Sequence, residues 1–106
     1  MDRRPSHEVL RPFLSSLQQS IGRARVILFG SRARGDAHPN SDYDLLIICS
    51  AFSGVRFYDR QVRIYQLLPR NIDVDVICLT PEEFKARSKS LSIIAEAARE
   101  GIELTA

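Results

Sequence analysis

Two stretches constrain this chain more than any other: Val26-Ile27-Leu28-Phe29-Gly30-Ser31-Arg32-Ala33-Arg34-Gly35, and shortly after it Ser41-Asp42-Tyr43-Asp44-Leu45. The first is an apolar run that stops at a Gly-Ser pair. The second sets two carboxylates, two residues apart, at the head of another apolar run, Leu45 to Cys49. Side chains at i and i+2 of a strand share a face and lie about 6.5–7 Å apart along it. Carboxylates held so close repel one another, so the arrangement is unfavourable unless a cation sits between them. A strand, a tight turn and an acid-headed second strand therefore frame the fold. They also frame a candidate site for a cation and a phosphate.

The residues of the turn have individual reasons. Gly30 lets the backbone approach a ligand closely, and Ser31 adds a hydroxyl in the first turn of a helix, where backbone N–H groups favour anions. Arg32 and Arg34 supply positive charge of the kind a triphosphate needs. A Gly-Ser turn alone is common loop chemistry, and Ser41-Asp42 alone reads as a solvated Asx turn. Asp44 is different. It precedes Leu45-Leu46-Ile47-Ile48, so it enters the sheet, where a carboxylate needs a partner or a metal. A two-metal phosphoryl site wants a third carboxylate from a neighbouring strand. Asp73 and Asp75, in Ile72-Asp73-Val74-Asp75-Val76, share a face, and periodicity does not choose between them.

The remaining pattern predicts alternating helices and strands. Val9, Leu10, Phe13, Leu14, Leu17 and Ile21 recur at helical spacing up to Gly22, with Pro12 requiring a start near Arg11 or a bend there. Ala24 to Phe29 is a strand, Gly30 to Arg34 a brief helical turn closed by Gly35, 37–40 a loop, and Asp42 to Cys49 the second strand. Val55, Tyr58, Val62, Tyr65 and Leu68 form a second helical stripe stopped by Pro69, which places both tyrosines in the core. Asn71 to Leu79 is a third strand. Thr80-Pro81-Glu82-Glu83 combines a capping threonine, a first-turn proline and a glutamate placed to complete a capping box. Leu91 to Glu100 is a last helix ended by Gly101, and Ile102 to Leu104 a short strand or tail. The order, αβ(α)βαβαα, is that of an α/β or α+β domain, a small mixed sheet flanked by helices.

Length and composition narrow the classes. At 106 residues, with 44% hydrophobic and 26% charged residues, the chain reads as one soluble globular domain over 1–106. No run approaches a membrane span, and no hydrophobic signal segment follows the Met-Asp-Arg-Arg start, so the expected compartment is the cytoplasm. The net charge of +2 is a weak argument for nucleic acid. Seven arginines do fall within residues 1–36; all but Arg32 and Arg34 read first as scattered, solvated side chains, with help in gathering a polyanion as the alternative. Cys49 and Cys78 sit in separate apolar runs and read as buried free thiols. His38 falls in the loop between the motif halves, and His7 near a helix start. No Ser-His-Asp or Cys-His arrangement presents itself.

The pattern G-S-x-A-R-G followed by S-D-x-D-L resembles the nucleotidyltransferases of the DNA polymerase beta superfamily, and within them the minimal nucleotidyltransferase group. The resemblance runs from Val26 to Glu103. It implies the polymerase beta-like nucleotidyltransferase fold and transfer of a nucleoside monophosphate, AMP from ATP, to a hydroxyl acceptor. It further implies that Asp42 and Asp44 hold two Mg²⁺ ions and that the third carboxylate is the one shortly before Leu79-Thr80-Pro81-Glu82-Glu83, which is Asp75. Gly30, Ser31, Arg32 and Arg34 would bind the nucleotide. Larger relatives carry an added helical domain that shapes the acceptor site. This chain ends at Ala106, so the acceptor would be held by a partner or a second copy, or would itself be a macromolecule. The minimal group is often paired with a helical HEPN protein in toxin–antitoxin modules, which would make a tyrosine hydroxyl of that partner the acceptor. The alternative is the same fold as a catalytically quiet, nucleotide- and partner-binding antitoxin.

Overall fold

The computed structural model describes residues 8–35, 42–90 and 92–104. In chain order these form α1 (Arg11–Ile21), β1 (Arg25–Phe29), α2 (Ser31–Arg34), β2 (Tyr43–Ile48), a single 3₁₀ turn (Ser50–Phe52), α3 (Phe57–Tyr65), β3 (Val74–Leu79), α4 (Pro81–Arg87), α5 (Ile93–Glu100) and β4 (Ile102–Leu104). The four strands make one sheet in the order β3-β2-β1-β4. β1 runs antiparallel to both β2 and β4, whereas β2 and β3 are parallel, joined through α3 as a crossover. The mixed sheet flanked by helices that the sequence pattern implies is thus the fold observed.

Both faces of the sheet are covered, which explains why β1 and β2 read as nearly continuous apolar runs. On one face Val26, Leu28, Leu45, Ile47, Val76 and Cys78 pack against Leu10, Phe13, Leu14 and Leu17 of α1's side and Ile64 of α3. On the other, Ile27, Phe29, Leu46, Ile48 and Leu79 pack against Ile94 and Ala97 of α5, with Phe84 of α4 half-buried beside them. Each inward side chain of this size contributes about 1.5–3 kcal/mol by leaving water. Strand alternation puts Asp44 and Asp75 on the α4–α5 face, at the end of it that those helices leave accessible.

The helix ends follow the local chemistry closely. α1 starts at Arg11, with Pro12 inside its first turn, and stops at Gly22, whose φ is +82°. The box at Thr80 is complete: the Glu83 N–H donates to Thr80 Oγ1 at 3.2 Å, and the Thr80 N–H donates to Glu83 Oε1 at 2.9 Å. Ser92 caps α5 by accepting from the Ala95 N–H. Cys49 and Cys78 are buried free thiols, and burial pushes the Cys78 thiol up to about 12.

Helix α3 departs from the sequence expectation. It ends at Tyr65 and continues only as turns toward Pro69, and it faces the sheet with Arg60 and Ile64 rather than with the Tyr58–Val62–Tyr65 stripe. Tyr58 is 73% exposed and Tyr65 44% exposed, so neither is a core residue. The reason is Arg60. Its guanidinium is satisfied on every side: Nε donates to Val55 O at 2.8 Å, and Nη1 to Cys78 O at 3.1 Å and to Glu83 Oε1 at 2.6 Å. Nη2 donates to Glu83 Oε2 at 3.2 Å. A cation paired this completely can occupy a core-facing position, and the helix rotates to place it there.

The rotation also closes a sheet edge. β3 is an outer strand, and its Val76 N–H donates to Tyr65 Oη while Gln61 Nε2 donates to Val76 O at 3.0 Å. With Arg60 on Cys78 O, three outward backbone groups of β3 are occupied by side chains of α3. Open strand edges invite intermolecular pairing; this one is plugged.

Candidate active site

The site is assembled where the C-terminal end of β1 meets the N-terminal ends of β2 and β3. Cross-strand register sets Phe29 opposite Asp44, and Asp44 opposite Asp75. Parallel pairing of two strands that each carry an aspartate at the second position is what brings the two carboxylates side by side. Asp42 lies two residues upstream of Asp44, just outside β2 and exposed.

Gly30 ends β1 with φ +77° and ψ −156°, a backbone region that essentially only glycine occupies. A Cβ built there would lie 2.5 Å from Asp44 Oδ2. The glycine therefore does two things at once: it makes the turn into α2 and it leaves room for the Asp44 carboxylate. Ser31, at the first position of α2, is half-buried beside it. The Ala33 and Arg34 N–H groups both donate to Gly30 O, each at 3.1 Å, and close the turn.

Electrostatics agree with the geometry. The Asp44 carboxyl is raised above its ordinary value, by partial burial first, then by the charge of Asp75, then by that of Asp42; the Arg34 guanidinium opposes this. Repulsion of this kind is what a bound cation removes. Arg34 of α2 also stands 3.9 Å from Glu96 Oε2 of α5, and the Arg32 guanidinium lies over the Tyr43 ring, 4.3 Å from its centroid.

The sequence-derived residues are thus largely brought together: Gly30, Ser31, Arg34, Asp42, Asp44 and Asp75 converge on one corner. Asp73 stays apart from that pairing. It lies just before β3, where its carbonyl accepts from the Tyr43 N–H at 2.9 Å, and the acids acting on Asp44 are Asp75 and Asp42. The register thereby sets Asp75 beside Asp44, a choice periodicity left open. Ser41 and His38 lie outside the described residues, as does His7. Glu96 and Tyr43 went unrecognised as neighbours of the arginines. Tyr43 sits inside the S-D-x-D-L motif, whereas Glu96 had no local signal, because only folding brings α5 to α2.

Among the described residues no three His, Cys, Asp or Glu side chains form a ready-made cage. The charges fit an oxygen-seeking cation nonetheless: two adjacent carboxylates, a third within electrostatic reach, and a turn whose missing Cβ leaves space beside Asp44. Magnesium at phosphoryl sites takes one or two carboxylates and completes its shell with phosphate and water.

A mixed α/β/α sheet with an acidic strand pair facing a glycine-opened turn has the makings of a phosphate-handling transferase domain. The model of the nucleotidyltransferase domain family matches residues 8–104, and the chain belongs to that family, as a minimal nucleotidyltransferase. Its fold is similar to that of a crystallised Sulfolobus solfataricus protein provisionally assigned as a nucleotidyltransferase, with a TM-score of 0.64, 23% identity, and coverage of 97% of this chain and 87% of that one. At that identity the likeness speaks for the fold alone. No match was found among curated proteins. No helix among the described residues is long and apolar enough to cross a membrane.

Proposed function

We propose that this nucleotidyltransferase-family chain moves a nucleoside monophosphate, AMP from ATP, onto a hydroxyl acceptor, working in the cytoplasm. The observation that carries this reading is the pairing of Asp44 with Asp75 across parallel strands, with Gly30 opening the turn against Asp44. Asp42, Asp44 and Asp75 would hold Mg²⁺, two ions in the full complex. When bound, the metal neutralises charge building on the attacking and leaving oxygens.

The chain's own residues account for the rest. Gly30 and Ser31 offer backbone and hydroxyl donors to the triphosphate, and Arg34, with Arg32 nearby, balances its charge. Asp75, exposed at the strand end, accepts the proton of the acceptor hydroxyl. The hydroxyl oxygen attacks the α-phosphorus, the bond to the bridging oxygen breaks, and pyrophosphate leaves along the turn.

The acceptor is held by a partner, a helical HEPN-type protein whose tyrosine hydroxyl is modified, or by a second copy of the chain; in the first case the chain acts as the antitoxin. The exposed Tyr58–Val62–Tyr65 stripe on α3 supports a partner-bound state. It equally favours a second reading, in which the domain binds nucleotide and partner without turnover.

The test is label transfer from α-phosphate-labelled ATP with Mg²⁺ and the candidate partner. Label on the partner with wild type and none with Asp75→Asn is the expected result. Equal transfer by both removes Asp75 from the mechanism. Absence of transfer, with Mg·ATP binding intact, leaves the quiet binding module.

A further inference from the structure

A second cavity lies at the opposite end of the sheet from the carboxylates. It is an open groove of about 550 Å³ between the start of β1, the end of β2 and helix α4. Asp44 and Ile48 are both in β2, so the two sites are separated by about 13 Å of strand at roughly 3.3 Å per residue. The volume is in the range of sites for small organic molecules, of order 300–1,000 Å³.

Its lining has a consistent chemistry. Ile48, Pro81 and the half-buried Phe84 ring give it an apolar floor, and three cations, Arg23, Arg25 and Lys85, stand around it. Among the described residues no acidic side chain lines it. Arg25 is already neutralised, since its Nε and Nη2 each donate to Glu103 at 2.9 Å, and its guanidinium lies 5.3 Å from the Phe84 ring centroid. Among the described residues neither Arg23 nor Lys85 has a carboxylate partner. The hydroxyls of Ser50 and Ser88 are the further polar groups of the wall.

We propose that this cavity binds a small organic anion with an apolar body, its aromatic or aliphatic part on Ile48, Pro81 and Phe84 and its negative group at the Arg23–Lys85 rim. Charge complementarity selects the anion and the apolar floor selects the body. A nucleic-acid backbone would instead need an extended row of cations, and among the described residues two uncompensated ones stand here. The site is independent of the nucleotide reading, because it shares no residue with the carboxylate corner.

The test uses anilinonaphthalene sulfonate and its uncharged analogue phenylnaphthylamine, titrated by fluorescence, with amide chemical-shift mapping on the whole chain. The sulfonate should bind about tenfold or more tighter than the neutral analogue, since a charge-assisted contact is of that order. Its shifts should centre on Ser50, Lys85 and Ser88. The double variant Arg23→Glu, Lys85→Glu, confined to exposed positions, should erase that preference while leaving the neutral dye unchanged. Ser88→Trp, which fills the mouth, should weaken both dyes. Equal affinity for the two dyes, unchanged sulfonate binding in the double variant, or shifts centred on Tyr58, Val62 and Tyr65 would each overturn the proposal.

Discussion

Gly30 and Asp44 occupy each other's space: the position a Cβ would take on Gly30 is 2.5 Å from Asp44 Oδ2. The turn and the acid-headed strand are therefore one structure rather than two motifs, and they fail together. Gly30→Ala should destabilise the fold by about 1–3 kcal/mol through its φ of +77° alone, and should displace the Asp44 carboxylate besides. Melting and Mg·ATP titration should both worsen. A variant that melts lower but binds nucleotide as wild type does would separate the two roles.

The Asp44–Asp75 pair is unfavourable by itself. Asp75→Asn should raise the stability of the metal-free protein by up to about 1 kcal/mol, the order of a like-charge cross-strand pair, and should leave the stabilisation that Mg·ATP gives largely intact, since Asp42 and Asp44 remain to hold the nucleotide's metal. Melting curves with and without Mg·ATP read both effects. A loss of metal-free stability would mean that Asp75 makes a structural bond instead.

Arg60 and Glu83 carry an acid-sensitive link between α3 and α4. Hydrogen bonds from Arg60 first, and from the Thr80 backbone second, hold the Glu83 carboxyl near 2, against an ordinary 4.5. A depressed folded-state value means the contribution is present above the unfolded value and lost as pH falls from about 4.5 toward 2. Glu83→Gln should lower stability at neutral pH and flatten that part of the acid-unfolding curve. An unaltered acid profile would remove this pair from the account.

Tyr58 and Tyr65 are expected to behave differently from one another. Tyr58, 73% exposed, should tolerate Tyr58→Ser within about 0.5 kcal/mol. Tyr65→Phe removes the acceptor of the Val76 N–H and should cost about 0.5–1.5 kcal/mol. Paired with Gln61→Ala it should also open the β3 edge, visible as self-association in sedimentation. Matching losses at both tyrosines would restore them to the core.

Much of this was legible in the chain because it is local. Pro12, Gly22, the Thr80–Glu83 box and the Gly30 turn each act within a few residues, and their elements lie where propensity puts them. What was not legible depends on distance in the chain. The face of α3 is decided by Arg60 meeting Glu83 and Cys78 O, and an arginine at a core-facing position reads as polar until its partners are known. Periodicity alone left Asp73 and Asp75 equivalent; the family resemblance chose Asp75, and the parallel register of β2 and β3 sets that residue opposite Asp44. The apolar run Leu45-Leu46-Ile47-Ile48 after it did put Asp44 in the sheet, and with the Gly30-Ser31 turn that is the part of the site the local sequence pattern carries.

The central claim is that in the proposed reaction Asp42 and Asp44 hold the cation that accompanies the triphosphate, and Asp75 holds the second ion. The most direct measurement is ATP affinity by calorimetry, with Mg²⁺ and with chelator, in wild type and in Asp44→Asn. Wild type should bind about tenfold or more tighter with Mg²⁺, and Asp44→Asn should lose that difference while keeping its fold. Equal Mg²⁺ dependence in the two proteins would contradict the claim.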